Sequence, residues 1–568
     1  MLKIIFCFIF ALSLLYSNER QIQQREFVNE QQHLKQLQEN MPNSNINLQP
    51  KSKHEKFSLI LNEKPCFVIN DINLTGKNKD NFSDRLKKVL KKVKFQKGQC
   101  LGKKSIAILH SAFSNEIISS GLITTSVIIP NQNIKTEKTL TFEVLEGKID
   151  QILINESNNT TDKISAFMAF GGNVSSDDLN LRDIEQALEV FQNSSNAQVG
   201  VELIPSLKPN FTNINITKQK SFPIIAQLSF DNSGSDATGK YKGDASVQGL
   251  NLLGLNEILY LSYTKNIFRG EHQRVNNESE NGGNDSIYYG FTLPFGRISL
   301  DFNEYKYNYD QAIAGAYGVY KYSGESKNRN LTLNYLYHRN QISKNSIYLR
   351  LWERENKNFI QDYELDNQRR KTAGYEIGLN SQFYIGNGSI VLGASYKKGT
   401  GARGSLRALE EDYNGGTSRF EKYILNFGFR KSSSNIPLTY DLKFQAMYNG
   451  TPLTMQERIS LGGYYTIRGF DGEMSLVGDR GFLIRNTLEY DYINNHKTYF
   501  AFDIGNVTPQ AGLHDSKNAL AGVGIGLKGN FKPSGSLGYD IFVGKALSKP
   551  EYFETDKVAL NFGLTYTF

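Results

Sequence analysis

At 568 residues the chain exceeds what one simple core can hold, and length alone divides it into roughly two to four domains. Tyr and Phe number 31 and 35 against a single Trp, Gly reaches 49, and only 39% of residues are hydrophobic, a mixture that favours many half-exposed strands over a thick interior. The net charge of +8 is spread thinly, and no Lys/Arg run resembles a nucleic-acid arm, so the basic balance reads as solubility.

The first 17 residues combine a positive Lys3, an apolar run from Ile4 to Leu15 and a small Ser17. This is the pattern of a cleaved secretory signal peptide, too short for a membrane-spanning helix. Cys7 leaves with it, and the mature chain keeps Cys66 and Cys100. In an oxidising compartment two such cysteines are most simply a disulfide, closing a loop of about 35 residues for roughly 3 to 4 kcal/mol; two buried free thiols are the alternative. From Asn18 to Asn40 the chain is glutamine-rich, free of Gly and Pro and apolar only at Ile22, Phe27, Val28, Leu34 and Leu37. That predicts a helix polar on most sides, which is not stable alone and, at about 1.5 Å per residue, is roughly as long as a membrane is thick. Residues 41–63, with Pro42 and Pro50 among polar neighbours, read as a linker.

Residues 64–221 carry two rounds of one β-α-α-β-β pattern, one over 64–147 and one over 148–221. In the first, F-V-I-N-D-I-N-L reads as a strand, Asp80 to Val93 and Ser105 to Gly121 as helices, and Leu122 to Pro130 and Thr139 to Val144 as strands. The second repeats this order, and its Leu181, Ile184, Leu188 and Phe191 share one helical face. From Phe222 no helical period returns. The last segment, V-A-L-N-F-G-L-T-Y-T-F, is apolar at every even position from Val558 to Phe568 and small or polar between. Such alternation over about ten residues suits a tilted strand with lipid on one side and a polar lumen on the other. The first strand alternates likewise through Ala226, Leu228 and Phe230. At roughly 20 to 22 residues per strand and connection, the roughly 350 residues of 222–568 make about 16 antiparallel strands, an all-β transmembrane barrel; a soluble sandwich is the competing reading.

Parity then assigns faces. Phe482, Ile484, Leu488 and Tyr490 point outward, so Arg485, Glu489 and Asp491 face the lumen; Phe500, Phe502 and Ile504 point outward, so Asp503 and Gly505 face in. Just before this strand pair lies L-G-G-Y-Y-T-I-R-G-F-D-G. A loop folding back into the barrel would set the Arg468 guanidinium against the Asp503 carboxylate in the bidentate geometry that Arg forms and Lys does not.

An ordered set of segments now carries a resemblance: P-C-F-V-I-N-D-I-N-L-T-G, G-Q-C-L-G, G-L-I-T-T-S-V-I-I-P, L-N-L-R-D-I-E-Q-A-L, G-S-D-A-T-G-K-Y, N-L-L-G-L-N-E, L-G-G-Y-Y-T-I-R-G-F, F-D-I-G and the terminal Y-T-F. The chain resembles the outer-membrane transporters of two-partner secretion, the haemolysin-activator and filamentous-haemagglutinin transporter family, in the superfamily of barrels with periplasmic POTRA domains. The resemblance implies that Arg468, Gly469 and Phe470 form an inward loop tip and that Asp503 and Gly505 are its partners in an F-x-D-x-G strand motif, with Phe502 offset by one. The family's commoner V-R-G-Y is here I-R-G-F, so no tyrosine hydroxyl is available at the tip. It further implies two POTRA domains that receive one large unfolded exoprotein in the periplasm, a plug helix over 18–40, Phe568 as an assembly signal read by the barrel assembly machinery, contact with outer-membrane lipid, no cofactor and no nucleotide energy.

Other signals carry less. G-T-G-A-R-G, Gly399 to Gly404, satisfies G-x-G-x-x-G but lacks the helix and βαβ setting of a dinucleotide site. The histidines have no metal-ligand spacing, Glu410 to Asp412 reads as a solvated loop, and no residue constellation points to an enzyme. Two other functions remain open: a barrel of the same superfamily that assembles or inserts other outer-membrane proteins, and a passive porin.

Overall fold

The computed structural model describes residues 28, 30, 45–48, 57–60, 63–157, 159–172, 175–219, 221–270, 272–275, 278–314, 318–413, 415–508, 518–532 and 534–568. The signal peptide and all of the 18–40 helix except Val28 and Glu30 lie outside the described residues.

The first α+β domain runs β1 (Cys66–Ile69), β2 (Asp71–Thr75), α1 (Asp80–Val93), β3 (Gln99–Gly102), α2 (Lys103–Ser119), β4 (Ser126–Ile128) and β5 (Thr139–Leu145), with one helical turn at Ile134–Glu137. Phe82, Leu86, Val89 and Val93 lie on one face of α1, as spacings of three and four require, and pack with Phe113, Ile117, Leu140 and Phe142 into a closed core. The segment predicted as one strand from Phe67 to Leu74 is two. At Asn70 the backbone changes partner: the Ile69 carbonyl accepts from Gly98, while the Asn70 amide donates to Lys138. Thus β1 pairs with β3 and β2 runs parallel to β5, two sheets in place of one. Cys66 and Cys100 form a disulfide across the β1–β3 pair.

The second domain has β6 (Lys148–Ile154), α3 (Thr160–Phe170), α4 (Leu181–Asn193), β7 (Val199–Pro205) and β8 (Phe211–Lys218), in the sheet order β6-β8-β7. Asn159 and Asn180 cap α3 and α4 by accepting from Asp162 and Arg182 amides. The α4 stripe Leu181, Ile184, Leu188 and Phe191 is buried, the last three in one cluster with Ile214 and Ile216.

Sixteen long strands then close a barrel. They are β9 (Ile224–Asp231), β10 (Lys242–Leu250), β11 (Ile258–Asn266), β12 (Gly283–Phe295), β13 (Ile298–Ala314), β14 (Val319–Arg339), β15 (Ser343–Ile360), β16 (Arg370–Tyr384), β17 (Gly388–Thr400), β18 (Glu421–Ser432), β19 (Leu438–Asn449), β20 (Arg480–Ile493), β21 (His496–Thr508), β22 (Ala519–Phe531), β23 (Ser536–Ser548) and β24 (Ala559–Thr567). Closure comes from antiparallel pairing of β24 with β9, from Gly563↔Asp231 to Thr567↔Gln227. The outward faces are apolar and exposed, as at Leu331, Leu333, Tyr335 and Tyr337 on β14 and Leu560 and Leu564 on β24, which is the band a bilayer covers. Connections at the end beside the second domain are short, such as 296–297 and 340–342; at the far end 401–420 and 450–479 are long. The Gly399–Gly404 segment ends β17 in a single 3₁₀ turn, not a βαβ helix.

The second domain docks on the short-turn rim. Arg297 donates to Asp183 through Nε and Nη2, at 3.0 and 2.6 Å, and Ser165 exchanges hydrogen bonds with Asn256. Arg339, at the end of β14, bonds Glu185 at 3.1 Å and Glu189 at 3.0 Å on α4. The linker joins the same cluster: the Ile46 amide donates to Glu189, the Leu48 amide to Glu185, and Arg339 to the Ile46 carbonyl. Burial would raise the Glu189 carboxyl, but Arg339 and Lys344 outweigh it and hold the group below its ordinary 4.5. A depressed carboxyl stabilises the docked state above its unfolded value and loses that contribution as pH falls through the lower folded value. Glu189→Gln should therefore speed amide exchange at Ile46 by about tenfold near neutral pH, because a hydrogen bond to a charged group contributes roughly 1.5 to 3 kcal/mol. Hydrogen-exchange mass spectrometry of the 45–48 segment checks this, and the wild type, corrected for intrinsic rates, should loosen only below 4.5.

Candidate functional site: a loop clamped inside the barrel

The connection 450–479 leaves the far rim and turns back into the lumen, where Ile459–Leu461 and Leu476–Gly478 pair as a short hairpin. Its apolar side, Ile459, Leu461, Ile467, Phe470 and Leu476, packs against inward Leu483, Val507 and Leu520 of the wall. A barrel interior is otherwise polar, so this apolar contact seats the loop without a covalent tie.

At the tip, Arg468 meets Asp503. Nε donates to Oδ2 and Nη2 to Oδ1, both at 2.7 Å, and the Arg468 backbone amide adds a bond to Oδ2 at 3.0 Å. Nη2 also reaches the Asn486 carbonyl and Thr487 Oγ1, each at 3.0 Å. Arg468 is 4% exposed and Asp503 0%, so neither charge is solvated and each requires the other. Arg485 stands beside them, 3.7 Å from Asp503, and its guanidinium donates to the Tyr464 and Tyr465 carbonyls. The wall thus grips the loop backbone on one side and its cation on the other.

The approach is close enough to demand missing side chains. Gly469 has φ +98°, a region costly for L side chains, and a Cβ there would lie 2.6 Å from the Lys545 carbonyl. On the wall, a Cβ at Gly522 would sit 1.9 Å from the Arg468 carbonyl. Phe470 is fully buried, edge-on to Phe553 with centroids 5.5 Å apart, so this apolar seat uses no hydroxyl at that position.

Arg468, Gly469, Phe470, Asp503, Gly505 and Arg485 come together here; the remaining sequence candidates do not. Glu489 is inward and 3% exposed but belongs to a separate cluster with Lys528, Arg430 and Lys497 farther along β20. Phe502 points outward, away from the tip, and Ala501 holds the buried position two residues before Asp503. Phe568 is exposed at the end of the closing strand.

Sequence reading missed the root of the loop. Glu457 is 2% exposed and accepts from Lys397 at 2.8 Å, Lys422 at 2.7 Å and Arg354 at 3.4 Å, from three different wall strands. Lys397 also stands 4.1 Å above the Trp352 ring. Nothing in T-M-Q-E-R marks this glutamate, because its partners lie some 35 to 100 residues away.

A closed barrel with α+β domains docked at its short-turn rim and an arginine-tipped loop clamped inside defines the POTRA-bearing class of outer-membrane barrels. The chain belongs to the haemolysin secretion/activation protein ShlB/FhaC/HecB family, whose model matches residues 210–529, with a ShlB-type POTRA domain at 67–147 and a POTRA domain at 148–205. It is 29% identical over 475 residues, 83% of this chain and 79% of the relative, to outer membrane transporter CdiB-2 of Burkholderia pseudomallei (strain 1026b). It is 24% identical over 543 residues to hemolysin transporter protein HpmB of Proteus mirabilis, covering 92% of this chain and 86% of that one. The solved structure of CdiB from Acinetobacter baumannii superposes with a TM-score of 0.81 at 24% identity, over 96% of this chain and 99% of that one. The protein is an outer-membrane transporter of two-partner secretion with its POTRA domains in the periplasm.

Proposed function

We propose that this transporter receives one large unfolded exoprotein at its POTRA domains and passes it through the barrel to the cell surface without nucleotide hydrolysis. The observation that carries this reading is the buried Arg468–Asp503 clamp, which holds a folded-in loop inside the lumen by a non-covalent, reversible contact. A passive porin needs no such part. Strand edges and exposed apolar residues of the domains, such as Ile128 at the end of β4, Ile129 after it and Ile204 on β7, suit backbone pairing with an extended chain. Folding of the exoprotein outside, where it cannot slide back, supplies direction. The exoprotein is of the haemolysin, adhesin or contact-dependent toxin type; a relative named for hemolysin transport supports that class. During biogenesis the assembly machinery reads the closing strand through Phe568.

Gene deletion tests the reading. Surface and secreted proteins of the deletion strain should lack one large exoprotein, restored by a plasmid copy. Loss of many barrels would indicate an assembly factor, and loss of solute uptake alone a porin.

A further inference from the structure

Six tyrosines from four adjacent strands line one side of the lumen: Tyr260 (β11), Tyr288 (β12), Tyr305, Tyr307 and Tyr309 (β13) and Tyr322 (β14). Their rings follow one another without a gap. Successive centroids are 5.0, 6.3, 6.3, 6.0 and 6.2 Å apart. The three on β13 occupy alternate positions, so they share the inward face, while Leu300 and Phe302 lie on the other.

Two observations give this column a use. At its foot, a cavity of about 930 Å³ begins at Gln186 and Glu189 of α4, on the second POTRA domain, and ends against Tyr260 and Tyr288. A chain released by that domain passes Ser299 and Asp301 near the rim and then reaches the first two tyrosines. Higher up, Glu30 covers the column: its carboxylate accepts from Ser326 at 2.7 Å and from Asn328, the residues paired across the ladder with Tyr307 and Tyr305. Tyr305 is 0% and Tyr307 3% exposed, so the middle of the column is shut in the closed state.

Resting on the secretion reading above, we infer that the tyrosine column is the track along which the extended exoprotein passes once the segment bearing Glu30 has left. The chemistry fits an unfolded polypeptide of no fixed sequence. A fully extended chain repeats every two residues, about 6.6 Å, close to the ring spacing. Tyrosine rings offer flat amphipathic faces with little side-chain entropy to lose. Contacts of that kind hold a chain weakly and repeatedly, which transport requires; a deep pocket would trap it.

The test uses the full-length protein in planar bilayers and, as probe, an uncharged unfolded polypeptide rich in Ser, Asn, Gly and Val and long enough to cross the barrel. The wild type should show current blockades within its open periods. The Tyr305→Ala, Tyr307→Ala, Tyr309→Ala triple variant should shorten them by about tenfold, the loss expected from removing three weak ring contacts, and the corresponding triple Phe variant should restore them. Heat-modifiable gel mobility reports whether each barrel is folded; should the triple Ala variant not fold, Tyr307→Ala and Tyr288→Ala singly should each shorten blockades severalfold. Blockades of equal length in wild type and folded Ala variants would overturn the track and leave the secretion reading standing. A wild type that the polypeptide never blocks would overturn both.

Discussion

Replacing Arg468 with Ala is expected to lower exoprotein secretion by tenfold or more while the barrel stays folded. Removing one partner of a buried, hydrogen-bonded ion pair costs up to roughly 3 to 5 kcal/mol, because the charge left behind is unsolvated and loses its bidentate partner. Asp503, fully buried, would keep the Arg468 and Asn486 amides and Arg485 at 3.7 Å, whose guanidinium is already engaged with the Tyr464 and Tyr465 carbonyls. The tip would leave the wall to let water reach that carboxylate. The strand ladder does not depend on it, since Asp503 pairs through its backbone with Arg485 and Gly522 whatever the loop does. Arg468→Lys should recover part of the activity: an ammonium can meet one Asp503 oxygen but cannot span both and also reach the Asn486 carbonyl. Secreted exoprotein, normalised to heat-modifiable barrel, is the measurement; wild-type secretion by a folded Arg468→Ala variant would remove the clamp from the mechanism.

The clamp also has a definite shape. Its tight approach rests on the open space at Gly522 opposite the Arg468 carbonyl and on the positive φ of Gly469, so the charge pair is one part of a surface match. Glu457 fixes the other end of the loop through three cations. A loop held by ions at its root and tip, with an apolar middle, can detach at one end without being lost at the other. That arrangement is mechanically suited to a constriction that opens and re-forms.

Much of this is legible in the alternation of the strands. In β24 every outward position is apolar, and in β20 and β21 the same parity assigns Arg485 and Asp503 to the inner face, where both lie. Alternation fails where both faces of a strand are polar or both alternate alike. Tyr305, Tyr307 and Tyr309 sit in Y-K-Y-N-Y with Lys306 and Asn308 between, because the outward face of β13 has passed beyond its apolar stretch there, and parity no longer separates lumen from surroundings. The first predicted strand concealed its break for a related reason: the change of partner at Asn70 preserves the in-out pattern on both sides and leaves no mark in composition. The Glu457 cluster and the docking of α4 through Glu185 and Glu189 depend on residues far apart in the chain, which a local pattern cannot join.

Deleting residues 18–40 is expected to raise single-channel conductance severalfold. Val28 and Glu30 are helical and buried, and Glu30 bonds to inward-facing Ser326 and Asn328, which puts this part of the helix inside the barrel. A helix with its side chains is about 10 to 12 Å across, enough to displace most of the water in a lumen already narrowed by a folded-in loop. A position inside a wet barrel suits its polar composition, since a helix there faces no lipid. Glu30→Gln should have a smaller effect in the same direction, opening the full-length channel more often without changing its open conductance, because it weakens the attachment and leaves the helix intact. An unchanged conductance in the deletion variant would show that the helix does not obstruct the pore. Among the described residues the helix is attached at β14 and the loop tip at β21, nearly halfway round the wall, but Arg354 links the two elements, donating to Asn328 on the helix side and to Glu457 at the root of the loop. Their removal should therefore couple through that arginine and depart from additivity, and the variant lacking both residues 18–40 and the Arg468 side chain should conduct more than either alone.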